Sequence, residues 1–498
     1  MIPYGRDYPD TDSWEDRDGT VWIRADPVPE EPLTELGHAR RLVKAAGHRL
    51  RWVPAWRRWL AWDGQRWALD GTGEAERAVK QVARAVTDRC ADLPEDERKT
   101  ALRAALKLES AAAVRGTLAL AGTELDIAVA PEQLDAHPQL LNVANGVLNL
   151  DTGQLGQHDP ALLLTRITTA AYHSSASAPN WETFLARILP DAHVRGFVRR
   201  LLGSSLPGKV AEHVLPILLG AGANGKSTML GAVAQVLGEY AATADPALLV
   251  DRGYDTHPTG VADLHGRRLA LVHETDSGRS LAEGTVKRLT GGDVIKARRM
   301  REDFWEFTPS HLLVMITNHR PHVRGTDEGI WRRLRLVPFQ VVVPAEERDP
   351  GLPDKLAAEA DGILRWLVTG YTEWTSRGLD EPAGVTAATA EYRSDEDALG
   401  RFLTQKTCRS QGATRTSALF AEWQRWASAE GIEPGTQTGF SRDLGRRGIE
   451  LGKSNGYPVA RGSGAGQRPG GAMTSDNTHS KIIRGGLGRV ISFPPTRA

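Results

Sequence analysis

The sequence predicts an α/β fold built on a parallel sheet, and three stretches carry that expectation. "VLPILL" reads as a buried strand, the glycine-rich "GAGANGKSTML" from Gly220 to Leu230 follows it, and "STMLGAVAQVLGEY" then places apolar residues at helical spacing. Two more apolar runs, "RRLALVHETD" and "HLLVMITNHRP", have the character of buried strands, and each ends in polar residues.

The strand-to-helix turn is the most informative of these. Its backbone N–H groups can face an anion, because glycine permits the dihedrals and the helix N-terminus adds partial positive charge. A nucleotide phosphate held there would meet Gly220, Gly222, Asn224, Gly225, Lys226, Ser227 and Thr228. Lys226 suits the terminal phosphates, and the Ser227 hydroxyl suits magnesium, so ATP and Mg2+ are the expected ligands.

Composition sets outer bounds. At 498 residues the chain has room for two to four domains, at about 150 residues each. Lys plus Arg and Asp plus Glu both number 62, so net charge gives no global pull toward nucleic acid. The distribution is uneven: ten acidic against three basic residues up to Glu35, and fifteen basic against six acidic from Arg401 onward. A basic C-terminal module is a candidate nucleic-acid contact. Two separated cysteines, Cys90 and Cys408, argue against structural zinc, and the acidic N-terminus is not a signal peptide. No run reaches the roughly 20 apolar residues of a membrane helix, so no membrane partner is expected and the predicted location is cytoplasmic.

Order begins near "TELGHARRLVKAAG", with Thr34 as an N-cap candidate. "RLRWVPAWRRWLAWDGQRWALD" alternates about Asp63-Gly64 as a hairpin does, and its tryptophans suit either a core face or base stacking. Glu74 to Leu120 reads as helical. "LNVANGVLNLDTGQLGQHDP" returns to short strands with turn signals at Asn145-Gly146 and Thr152-Gly153, and "NWETFLARILPDAHVRGFVRRLLGSSL" is again helical.

Beyond the loop, "RRLALVHETD" delivers Glu274 at a strand end, where a carboxylate can act on magnesium or on an attacking water; Asp276 is a second candidate. "VKRLTGGDVIKARRMREDFWEFTP" suits a β-hairpin that carries Arg298, Arg299 and Arg301 toward phosphates. Asn318 ends the next strand as a neutral amide able to hold a water or terminal phosphate, and "GIWRRLRLVPF" sets Arg332 and Arg333 before another. "TSALFAEWQRWASAEG" and "GFSRDLGRRGIELG" look like the helices of a winged-helix DNA-binding module, with Arg442, Arg446 and Arg447 as candidate contacts. Its wing is interrupted by "RGSGAGQRPGGAMTSDNTHS" before "KIIRGG" resumes the strand.

The ordered series "GAGANGKST", "LVHETD", "KRLTGGDVIKARR", "VMITNHRP" and "WRRLRLVPF" resembles the superfamily 3 helicases, in particular the phage and plasmid primase-helicases related to poxvirus replication NTPases. The resemblance covers roughly Thr34 to Leu403. It implies an AAA+ type ATPase core with a parallel sheet, a mixed α+β accessory domain before it and a winged-helix-like domain after it. The implied division is an acidic flexible leader (1–30), the accessory domain (31–175), the ATPase core (176–345), a helical segment (346–403) and the winged-helix-like module with its Gly-rich insertion (404–498). The resemblance further implies that Lys226 and Ser227 are the phosphate-loop pair, Glu274 the second-motif acid, Asn318 the sensor, and Arg333 an arginine finger acting on a neighbouring subunit. Arg298, Arg299 and Arg301 would lie on the hairpin that tracks DNA. The expected partners are single-stranded DNA in the channel of a homo-hexamer, duplex origin DNA at the C-terminal domain, and a separate primase, the expectation being that this protein does not carry the family's primase domain. The rival readings are an NTPase that marks or melts an origin or loads a partner, a non-catalytic scaffold, and a small-molecule kinase.

Overall fold

The computed structural model describes residues 13–15, 21–23, 31–251, 259–274, 278–298, 304–325, 328–406, 408–410, 414–454, 457–463 and 488–492. They fall into two units, one within residues 1–321 and 332–386, the other within 322–331 and 387–498.

In the first unit, β1 (Ser13–Glu15) and β2 (Val21–Ile23) pair antiparallel. Thr34 caps α1 (Glu35–Ala46), its hydroxyl accepting the Gly37 N–H at 3.2 Å, and the helix buries Ala39, Leu42 and Ala46. The tryptophan-rich stretch folds as an antiparallel meander of β3 (Leu50–Val53), β4 (Arg58–Trp62) and β5 (Trp67–Leu69). Its Asp63-Gly64 turn is fixed by the Asp63 carboxylate, which accepts the N–H groups of Gln65 and Arg66 at 2.9 and 2.8 Å. Trp67 is fully buried and donates its indole N–H to the Pro160 carbonyl at 2.9 Å, so at that position the core role holds. Three helices, α2 (Glu74–Ala91), α3 (Glu95–Leu108) and α4 (Ala111–Ala121), precede a second antiparallel sheet of β6 (Leu140–Val143), β7 (Gly146–Asn149) and β8 (Leu155–Gly156).

Next come α5 (Pro179–Ile188), α6 (Ala192–Gly203), β9 (Leu215–Leu219), α7 (Lys226–Leu237), β10 (Ala241–Ala244), α8 (Thr259–Ala262), β11 (Leu269–Glu274) and α9 (Glu283–Leu289). A two-stranded hairpin, β12 (Ile295–Ala297) with β13 (Trp305–Phe307), leads to β14 (Leu312–Thr317). After β15 (Leu334–Pro338) the unit closes with α11 (Leu352–Ala358) and α12 (Ala360–Arg377). The five strands of the expected core form one parallel sheet in the order β10-β11-β14-β9-β15. Continuous apolar runs are required here, because helices cover such sheets on both faces. Phe197, Leu201, Met229, Val233, Leu271, Val314, Ile316 and Leu367 share its core.

The second unit holds α10 (Glu328–Trp331), the larger part of α13 (Ala383–Glu396), α14 (Ala398–Lys406), β16 (Cys408–Ser410), β17 (Thr414–Arg415), α15 (Thr416–Ala429), α16 (Gln437–Arg446), β18 (Ile449–Ser454), β19 (Tyr457–Ser463) and β20 (Gly488–Ser492). β19 pairs antiparallel with β17, β18 and β20. Phe402, Leu419, Trp423, Trp426, Phe440 and Leu444 make the core, with the Trp423 and Trp426 rings stacked at 5.5 Å. Beyond Ser463 the glycine-rich stretch, and all of "KIIRGG", lie outside the described residues. No helix among the described residues is long and apolar enough to cross a membrane.

Candidate active site

The site assembles at the C-terminal edge of the parallel sheet, the edge where open α/β sheets bind ligands. β9 lies between β14 and β15, so the loop leaving β9 at Gly220 has a strand end on either side. The Gly220 N–H donates to the Thr317 carbonyl at 3.4 Å, while the Leu219 carbonyl accepts the Phe339 N–H at 2.7 Å. A third tie, from the Val343 N–H to the Ala223 carbonyl at 2.8 Å, holds the crown of the loop.

Gly222, Ala223 and Gly225 all have positive φ, at 95°, 50° and 78°. Left-handed residues set within a tight turn aim backbone N–H groups inward, which makes an anion-binding concavity. Gly225 ends the loop against α5, where a Cβ would come within 2.7 Å of the Ile188 side chain. Gly220 is equally confined, since a Cβ there would lie 2.0 Å from Asn224 Nδ2 and 2.5 Å from the Phe339 carbonyl.

Lys226 is the first residue of α7 and only 3 % exposed. Its Nζ donates to the Gly220 carbonyl at 2.8 Å, Asn224 Oδ1 at 2.9 Å and Asn318 Oδ1 at 3.3 Å. Burial lowers the affinity of this amine for its proton from the ordinary lysine value, and three acceptors offset that cost. Asn224, 2 % exposed, also donates to the Phe339 carbonyl at 3.4 Å. Ser227 is exposed and Thr228 half-buried in the first turn of α7.

Strand register aligns the other candidates. Leu219 pairs with Thr317, and Thr317 with Glu274, so one row crosses the ends of β9, β14 and β11. Two strand spacings of about 4.8 Å put the Glu274 backbone about 10 Å from Leu219. Asn318 follows Thr317 on the exposed edge, and the Thr317 hydroxyl fixes the turn by donating to the His319 carbonyl at 2.8 Å. Asp276, Arg299 and Arg301 lie outside the described residues, as does the side chain of Glu274.

Arg333 sits elsewhere. Its carbonyl accepts the Leu215 N–H at 2.7 Å, which places it at the start of β15, at the end of the sheet opposite the phosphate loop. From Arg333 to the level of Leu219 is five strand residues, about 16 Å. Arg298 leaves β12 with its guanidinium 4.9 Å over the Phe304 ring, and Lys296 Nζ lies 5.3 Å from the same ring. In the second unit, Arg442 and Arg446 are exposed on α16, whereas Arg447 is committed to a two-pronged pair with Asp397, one contact at 2.8 Å.

Sequence reasoning missed three residues that shape the loop: Phe339, whose carbonyl takes Asn224, and Phe184 and Ile188, which wall off Gly225. Only the helical spacing of "NWETFLARIL" hinted that these last two face inward.

Residues 39–190 match the family profile described as D5 N terminal like, and residues 218–333 match one described as a family of unknown function (DUF5906). The chain resembles D5-like viral replication proteins. It is 28% identical over 304 residues to the mimivirus protein named "Putative helicase L207/L206", covering 56% of this chain and 32% of that one. It is 24% identical over 325 residues to the African swine fever virus protein named "Putative primase C962R", covering 59% and 34%. The chain thus spans about a third of the length of the curated relatives it matches. Among solved structures it is similar to the apo NrS-1 C-terminal region at 11% identity and TM-score 0.44, covering 87% of this chain and 99% of that one.

Proposed function

We propose that this protein is an ATP-dependent DNA helicase of the superfamily 3 type, acting in the replication of a phage, plasmid or integrated mobile element. The observation that carries the reading is the meeting of Lys226 with Asn318, 92 positions apart, beyond the ends of the neighbouring strands β9 and β14. The matched relatives named as helicase and primase support it. In this reading Lys226 exchanges its carbonyl and amide acceptors for phosphate oxygens of ATP, a trade favoured because the amine is already largely desolvated.

The residues present fit magnesium. The Ser227 hydroxyl, exposed at the head of α7, and the Glu274 carboxylate would hold it, Glu274 ending β11 in the same strand row as Leu219; Asp276, outside the described residues, is the second acid that the sequence offers. Bound there, the ion would neutralise charge on the transferring phosphoryl group. Asn318 orients water without adding negative charge. Arg333 is farther from its own loop than an arginine side chain extends, so in a ring it serves a neighbour's ATP, and a homo-hexamer is the assembly this reading expects. Lys296 and Arg298 on the β12–β13 hairpin face DNA in this reading; Arg299 and Arg301, outside the described residues, keep the DNA-contact role that the sequence resemblance implies. The second unit serves as a winged-helix-like module: α14, β17, α15 and α16 precede the β18–β19 hairpin, and Arg442 and Arg446 lie open on α16. A separate primase is the partner that would use the unwound strand.

The test is ATP turnover with and without DNA. Lys226→Ala is expected to lower it by about a hundredfold or more, the usual cost of losing one donor to a developing charge. Turnover unaffected by that substitution would refute the reading.

A further inference from the structure

The second unit contains a piece of chain that the sequence assigns to the ATPase core. The chain leaves the first unit after residue 321, shortly past Asn318, and returns at residue 332, just ahead of Arg333. Between these points, His322–Gly325 and Glu328–Trp331 pack on the C-terminal helices. The Glu396 carboxylate, at the end of α13, accepts the Val323 N–H at 3.0 Å and lies 3.4 Å from His322 Nδ1. Arg393, one turn earlier, donates to Glu328 at 2.7 Å and lies 6.0 Å over the Trp331 ring. Trp331 is 5 % exposed, stands edge-on to the fully buried Tyr392 at 5.2 Å and donates its indole N–H to the Gly325 carbonyl at 2.9 Å. The next residue after Glu396 is Asp397, which holds Arg447 at the end of α16 in the two-pronged pair and accepts the Gly400 N–H at 2.9 Å. A cavity of about 450 Å³ lies among these groups, lined by Glu328, Trp331, Arg393, Glu396, Arg446 and Arg447.

We infer that the C-terminal helices clasp His322–Gly325 and Glu328–Trp331, the described pieces of chain between Asn318 and Arg333, so that DNA engaged by α16 sets the position of both residues and thereby the rate of ATP turnover. Glu396 and Asp397 are the positioning residues. Each acts through another group: Asp397 relays the position of α16 to the α13–α14 junction, and Glu396 relays the junction to the backbone at Val323. Exposed pairs such as Arg393–Glu328 contribute little of this. A carboxylate accepting a backbone N–H, and a two-pronged arginine pair, are the directional contacts able to transmit it. This regulation belongs to the proposed ATP site and rests on the helicase reading.

The experiment measures ATP turnover of the full chain with and without a forked DNA duplex, for wild type, Glu396→Ala, which removes the acceptor of the Val323 N–H, Asp397→Asn and the double variant, with duplex affinity and unfolding midpoint followed on the same samples. Asn at 397 keeps an oxygen for the Gly400 N–H while removing the charge that holds Arg447. Expected are basal turnover within about twofold of wild type, unchanged DNA affinity, and stimulation by DNA reduced about fivefold or more, the usual range of a coupling free energy. The double variant should lose no more than the worse single one, because both residues lie on one path. Wild-type stimulation in both single variants, fully additive losses, or a wild type whose turnover DNA does not change, would each overturn the clasp while leaving the ATPase reading intact. Absence of any Lys226-dependent turnover in wild type would overturn the reading itself.

Discussion

Three glycines around the phosphate loop differ in backbone conformation and in what an added methyl group would meet, so alanine is expected to stabilise at one and to destabilise at the other two by different amounts. Gly231 lies inside α7 with helical backbone, and a Cβ there would meet nothing within 4 Å, so Gly231→Ala should stabilise by about 0.5–1 kcal/mol. Gly222 also has open space, but its φ of +95° is costly for an L side chain, and Gly222→Ala should destabilise by about 1–2 kcal/mol. Gly225 combines a φ of +78° with the Ile188 side chain at 2.7 Å and Phe184 at 3.1 Å. Overpacking adds about 1–3 kcal/mol to the same backbone cost, so Gly225→Ala should lose about 2–5 kcal/mol in all. Urea unfolding followed by tryptophan fluorescence measures the three, and Trp181 beside Phe184 gives a probe near the loop. If Gly225→Ala were as stable as wild type, or Gly222→Ala cost more than Gly225→Ala, the loop would not have the conformation described.

Other expectations concern buried polar groups. His38 and His311 are buried, and desolvation pushes both imidazoles down to about 4, with the nearby Arg41 charge adding to the effect at His38. The unfolded chain, with pKa near 6.5, therefore binds more protons between these values, so stability is complete above about pH 6.5 and falls as pH drops toward 4. Together they should remove about 2–4 kcal/mol between pH 7 and pH 5; urea titrations at the two pH values measure it, and an equal slope in a His38→Leu/His311→Leu variant would refute the assignment. Arg268 is buried under the Tyr240 ring at 4.4 Å and donates to the carbonyls of Leu206 and Leu140. Arg268→Met should leave both carbonyls unpaired and cost about 2–6 kcal/mol of unfolding free energy, at about 1–3 for each; the urea midpoint reads this loss, and a midpoint equal to wild type would refute it.

What the sequence made legible was what neighbouring residues determine. The β9–loop–α7 unit is contiguous, its glycines are needed for backbone reasons, and the apolar runs of β11 and β14 identify strands buried on both faces. The Asp63-Gly64 turn and the Thr34 cap are likewise local. Sheet order was not legible, because the pairing of β9 with β15 joins segments more than a hundred residues apart and leaves no local pattern. Nor was the engagement of Arg447, whose partner Asp397 lies 50 positions away. As a charge on an amphipathic helix it reads like Arg446, and only packing separates the two. The placement of His322–Gly325 and Glu328–Trp331 with the C-terminal helices escaped for the same reason: the adjoining strand motifs dominate the local pattern.

The most direct test of the central claim is displacement of one strand from a forked DNA duplex, with ATP hydrolysis followed in the same samples for wild type, Lys226→Ala and Arg333→Ala, and for rings mixing the two variants. Wild type is expected to unwind, each variant alone to fail, and mixed rings to recover part of the activity, because intact Arg333 from one subunit meets an intact loop in the next. Lys226-dependent hydrolysis with no strand displaced by wild type would contradict the helicase claim and leave an NTPase that marks an origin or loads a partner.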